Sequence, residues 1–168
     1  MTPYKKIYLS GEINDENFSI FSKELTELEN DGEENVCIEL SSGGGDAYAA
    51  LAFFDRIRIS TCSITIVAFG QVASAAVLIL AAGKRRIIAP SSWVMVHEDS
   101  PEVEGLSVHE AERVVRHHRR LENQWNALLA KTTKTSANRW GRLHKKETFL
   151  TASECVTLGL ADEILGVK

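Results

Sequence analysis

Twice in this chain a strand-like run passes through glycine directly into a helical pattern, and that repeat constrains the fold more than any other feature. Val36 to Leu40 runs through Ser41-Ser42-Gly43-Gly44-Gly45 into a helix expected from about Asp46 to Ile57. Ile64 to Ala68 runs through Gly70 into the apolar helix that contains Ser74. Further segments fit the same alternation. Ile7 to Leu9 reads as a short strand closed by Ser10-Gly11, and residues 16–29 carry Phe18, Phe21, Leu25 and Leu28 at helical spacing. Ile87-Ile88 and Trp93 to His97 read as two more strand segments separated by Pro90. Strands alternating with helices predict an α/β fold with right-handed crossovers. At 168 residues, with no Pro/Gly/Ser-rich linker and no internal repeat, the chain is read as one domain spanning residues 1–168.

A net charge of −4 supplies no electrostatic reason for binding nucleic acid or an anionic membrane. The basic clusters Lys84-Arg85-Arg86 and Arg116 to Arg120 are read as solvated faces. Cys37, Cys62 and Cys155 are an odd number without a C-x-x-C pair, which argues against a disulfide framework and for a reducing, cytoplasmic setting. The N-terminus lacks the apolar core of a signal peptide, and the apolar run from Val72 to Ala82 is too short to span a bilayer.

The stretch from Ser107 to Lys131 differs in character. Ser107 and Glu110 form a capping box, after which Ala111, Val114, Val115, Leu121, Trp125, Leu128 and Leu129 make a narrow seam on a charged helix. Twenty-odd residues at 1.5 Å each reach roughly 35 Å, long for so small a domain. The seam lies either on another subunit or on its own domain. The C-terminal stretch reads as a capped helix from Ser153 to Leu158, ended by Gly159, and a short strand-like tail.

Nucleophilic catalysis by serine needs a base, a group that orients the base, and N–H donors for the oxyanion. Ser74 follows a strand and opens a helix, with Ala73, Ala75 and Ala76 as small neighbours. It reads either as a nucleophile on a turn or as a helix cap. His97, at a strand end on the face of Trp93 and Met95, is a general base or a structural histidine. Gly43 to Gly45 mark a tight turn, able to aim backbone N–H groups at developing negative charge or simply to reverse the chain. The lysine and hydroxyl of a phosphate loop are missing. The run His109 to Arg113 begins like a zinc-protease helix, but arginine stands where the second histidine is needed, so no metal is expected.

Together "SSGGGDAYAALAFFDRI", "GQVASAAVLILAAGKRRIIAPSSWVMVH" and "ETFLTASECVTLGLADEIL" resemble, in order and spacing, ClpP, the proteolytic subunit of the Clp protease. The resemblance runs from Lys5 to Leu165. It implies a ClpP/crotonase-like spiral of ββα units with a long protruding handle helix at about 107–131. It implies a serine endopeptidase with Ser74 as nucleophile, His97 as base, and N–H donors from Gly45 and Ala75 as the oxyanion hole. The family's triad aspartate falls on Glu147, with Asp162 a further candidate acid. Two stacked heptameric rings, a partner AAA+ unfoldase that spends the ATP, and peptide or unfolded-protein substrates follow from the same resemblance, without cofactor or metal. The family's N-terminal axial segment is largely missing, and glycine (Gly43) replaces a proline before its glycines. Two other functions fit parts of the pattern: a catalytically silent ring subunit, and a crotonase-type thioester enzyme of the same architecture.

Overall fold

The computed structural model describes residues 5–98 and 101–167. Three long parallel strands form its spine: β1 (Lys5–Ile13), β2 (Asn35–Gly45) and β3 (Ser63–Ala73). Helices α1 (Asp15–Asn30) and α2 (Ala47–Arg58) make the crossovers between them. After α3 (Ala75–Ala82) the chain adds β4 (Arg85–Ile88) and β5 (Trp93–Val96). It then runs through α4 (Val108–Thr132), α5 (Ala137–Lys145), β6 (Thr148–Thr151), α6 (Ala152–Leu158) and β7 (Glu163–Ile164). This is the α/β alternation expected from sequence, in a sheet ordered β1-β2-β3-β4-β7 and parallel throughout that path.

The strands run several residues beyond the apolar runs that announced them, and the extra length matters for function. Pairing slips between Ser10 and Glu12 on β1 and between Leu40 and Ser42 on β2. At the same level β3 changes partner: Thr65–Ala68 lie against β4, whereas Gln71–Ala73 lie against β5, which in turn pairs antiparallel with β6. Extra residues in a ladder bend the strands and increase twist. The sheet therefore folds into two leaves, and the second is built from the polar ends of β1, β2 and β3 together with β5 and β6. Gly43 to Gly45 are not the tight turn expected from sequence. Gly44 and Gly45 pair with Glu12 and Ile13 as the last residues of β2, and the reversal falls at Asp46, whose Oδ1 accepts the Ala49 N–H at 2.7 Å to cap α2. Backbone pairing sustains this segment, so side-chain periodicity could not reveal it.

The core centres on α3. Every residue from Ala75 to Ala82 is at most 3% exposed, as befits a helix apolar on all sides. Phe18 and Phe21 of α1 meet Phe53 of α2 at ring separations of 5.3 and 5.0 Å in the layer beside it. Helix α4 starts with the predicted capping box, Ser107 bonding Glu110 in both directions. Its first half is exposed or half-buried, and only Asn126 and Leu129 are fully buried. Helix α5 was not predicted from sequence. It folds back on α4, buries Trp140 and His144, and sends Trp140 Nε1–H to Thr133 Oγ1 at 3.0 Å.

The three cysteines are buried and unpaired, consistent with small core residues. One basic residue departs from its expected solvated role. The Arg86 side chain is only 12% exposed. It forms an ion pair with Asp162 at 2.7 Å and donates to the Thr132 carbonyl, tying β4 to the end of α4. No helix among the described residues is long and apolar enough to cross a membrane.

Candidate active site

Ser74 sits where β3 gives way to α3, at φ 52° and ψ −122°, a backbone conformation that L-residues avoid at a cost of about 1–3 kcal/mol. Its N–H donates to the Met95 carbonyl of β5 at 2.9 Å, and its own carbonyl accepts the Val77 N–H at 3.0 Å, so both sides of the turn are clamped. The side chain does not cap α3. Instead Ser74 Oγ lies 2.9 Å from Nε2 of His97. His97 stands one residue beyond β5. Val94 and Val96 point into the core, which turns Trp93, Met95 and His97 to the other face, as alternation predicts.

Glycine is required beside this turn on steric grounds. A Cβ on Gly44, whose φ is +102°, would stand 2.7 Å from Ser74 Cβ and 3.1 Å from the Ala75 nitrogen. One on Gly45, at φ +148°, would stand 2.2 Å from the Ile13 carbonyl oxygen. Buried Ser42 fixes this strand end: its hydroxyl donates to the Gly11 carbonyl at 2.5 Å and accepts the Gly44 N–H at 3.0 Å. The Gly44 donor is thereby taken, and Gly45 and Ala75 both border the cavity that holds Ser74 and His97. That cavity measures about 270 Å³, and Leu121 and Trp125 of α4 form part of its wall.

Neither acid named from sequence, Glu147 or Asp162, hydrogen-bonds to His97. Glu147 follows α5 at φ 48°, exposed, with its N–H bonded to the His144 carbonyl at 3.0 Å. Among the described residues no carboxylate hydrogen-bonds or ion-pairs with His97. Asp162 is engaged by Arg86. Burial works to raise its pKa but is outweighed by the Arg86 bonds, which hold the carboxyl below its ordinary value.

Sequence reading missed His144, which borders the same cavity. Its Nδ1 lies 2.9 Å from Asn126 Oδ1 in a buried contact between α5 and α4. Burial, with a smaller push from the charge of nearby His97, takes its pKa down to about 4, so the ring is neutral at pH 7. The spacing of Trp140 and His144, one helical turn apart behind Ser136 as cap, was the available clue.

The family model for Clp protease matches residues 1–168. The chain belongs to the Clp protease family. Among solved structures it is similar to an asparagine-to-aspartate variant of ClpP1 from Listeria monocytogenes. The two share 25% identity and a TM-score of 0.88 over 98% of this chain and 92% of that one. The fold is thus that of ClpP, and the family is one of peptidases. The two-leaf sheet and the long α4 are this Clp protease's form of the predicted spiral and handle.

Proposed function

We propose that this ClpP-type peptidase is a serine endopeptidase working through Ser74. The observation that carries the reading is the 2.9 Å contact between Ser74 Oγ and His97 Nε2, made by a serine held in a strained turn and released from any capping role. His97 takes the hydroxyl proton as Oγ attacks the peptide carbonyl carbon. The oxyanion is received by the N–H groups of Gly45 and Ala75. His97 then returns the proton to the departing amine, leaving an ester on Ser74. Water attacks that ester through the same base and regenerates the hydroxyl. A single oxyanion donor of this kind contributes about 3 kcal/mol to the transition state. Glu147, without a bond to His97, has no part in this resting arrangement.

Peptides and unfolded chains are the substrates that suit a ClpP-type site, in an assembly of two stacked heptameric rings fed by a AAA+ unfoldase in the cytoplasm. Support for assembly comes from the start of α4, where the apolar side chains of Leu106 and Val108 are exposed. Treatment with a fluorophosphonate followed by intact mass tests the serine. One adduct is expected, and it is absent in Ser74→Ala. Folded, assembled protein that takes no adduct would instead be a silent ring subunit. Analytical ultracentrifugation tests the rings, which a monomer at high concentration would refute.

A further inference from the structure

The serine reading leaves one position open. With Nε2 of His97 accepting from Ser74, Nδ1 carries the ring proton, and whatever receives that proton fixes the tautomer and the angle of the base. Among the described residues, the His97 side chain hydrogen-bonds only to Ser74.

Close to His97 lies His144. Both rings border the cavity, together with the titratable groups Glu98, His118 and Glu122. The segment just past His97 is fastened to His144 itself, since the Glu98 N–H donates to the His144 carbonyl at 3.0 Å. The bond from Nδ1 to Asn126 Oδ1 settles the His144 tautomer, because an amide oxygen only accepts. Nδ1 is therefore the protonated nitrogen, and Nε2 keeps a free lone pair. Among the described residues Nε2 has no partner. Among the described residues no side-chain nitrogen or oxygen is both fully buried and unpartnered, so Nε2 opens onto solvent in the cavity. A neutral acceptor with a fixed tautomer thus opens onto the same cavity as a histidine whose N–H lacks one.

Resting on the serine-peptidase reading, we propose that His144, held by Asn126, is the positioning residue for His97, its Nε2 receiving the Nδ1–H of His97 through one bridging water. Proton transfer stays between Ser74 and His97, and His144 only holds the ring. A neutral acceptor stabilises the imidazolium less than a carboxylate would.

The test is the second-order rate of fluorophosphonate reaction against pH, in the assembled protein, with Ser74→Ala as the blank that checks the serine reading by itself. His144→Leu is expected to slow phosphonylation at least tenfold with reagent affinity unchanged. His144→Gln, whose amide oxygen can still accept, should recover most of the rate. His144→Asp should move the acid-limb midpoint up by about one pH unit. Asn126→Leu, which frees the His144 tautomer, should fall between the first two and guards against a misfolded His144 variant. Two results would overturn the proposal: a folded His144→Leu with native rate and midpoint, or Glu147→Gln costing more than His144→Leu. Loss of labelling only in Ser74→Ala, with every His144 variant native, would keep the serine and discard the positioning role.

Discussion

Helices α3 and α4 are opposites within one small domain. In α3 every side chain is buried by its own chain, while α4 is three times as long and buries only Asn126 and Leu129 near its C-terminal end. Helices in proteins owe most of their stability to the face they pack. The packing of α3 fixes the strained turn at Ser74 from behind. The C-terminal half of α4 is anchored by α5 and walls the cavity, whereas its N-terminal half is held by its capping box and by Tyr48 of α2, whose hydroxyl lies 2.6 Å from His117 Nε2. Precision at the serine comes from the helix whose every residue is buried, and the sparsely packed half of the other helix is the part open to the proposed assembly.

The largest expected effect separates the two helices outright. Leu78→Ala, at a position with no exposure, should lower stability by about 2–5 kcal/mol in urea unfolding. Val108→Ala, at 72% exposure, should change it by less than about 0.5 kcal/mol at concentrations where the protein is dissociated. A growing Val108→Ala penalty at higher concentration would sharpen the contrast by revealing burial between subunits. A Leu78→Ala variant of native stability would break it.

A smaller effect lies at the anchored foot of α4. His144 has its folded pKa pushed from 6.5 to about 4. The unfolded chain therefore binds the proton more readily. The neutral ring's contribution is complete above about pH 6.5 and is lost as pH falls toward 4. Between pH 7 and 5 that loss is about 2 kcal/mol. It lies above the range where Glu29 and Asp162, both with lowered pKa values, begin to protonate. Urea midpoints of the native protein should drop across this window by more than those of His144→Gln. Parallel slopes would mean that the α4–α5 contact is looser than the 2.9 Å bond implies.

The same contrast explains what could be read from sequence. The apolar run ending at Ala82 announced itself by its continuity, and Phe18 and Phe21 by their helical spacing, because in each the signal is local. The capping box at Ser107 and the alternation around His97 were equally legible, since each depends on neighbours within a few residues. Ser41 to Gly45 misled because their extended form depends on pairing with β1, a strand some thirty residues earlier. His144 was invisible as a site residue for a related reason. Its neutrality, its bond to Asn126 and its approach to His97 arise only when α5 folds back on α4. Glu147 was found by alignment of motifs, and motif order carries no information on where an exposed carboxylate on a left-handed residue points.

The smallest expected effect tests the capping box itself. Ser107 Oγ accepts the Glu110 N–H at 3.4 Å, and the Glu110 carboxylate returns a bond to the Ser107 N–H at 2.9 Å. Ser107→Ala removes the first of these and should cost about 1 kcal/mol of local helix stability. Because the first turns of α4 bury little against the domain, the cost should stay local. Amide exchange should quicken over residues 108–112, while the urea midpoint of the dissociated protein stays put. A midpoint that fell by the full amount would mean that α4 unfolds as one piece with the core. The exposed half would then be coupled to the Ser74 turn through Trp125, and movement of α4 on assembly would reach the catalytic cavity directly.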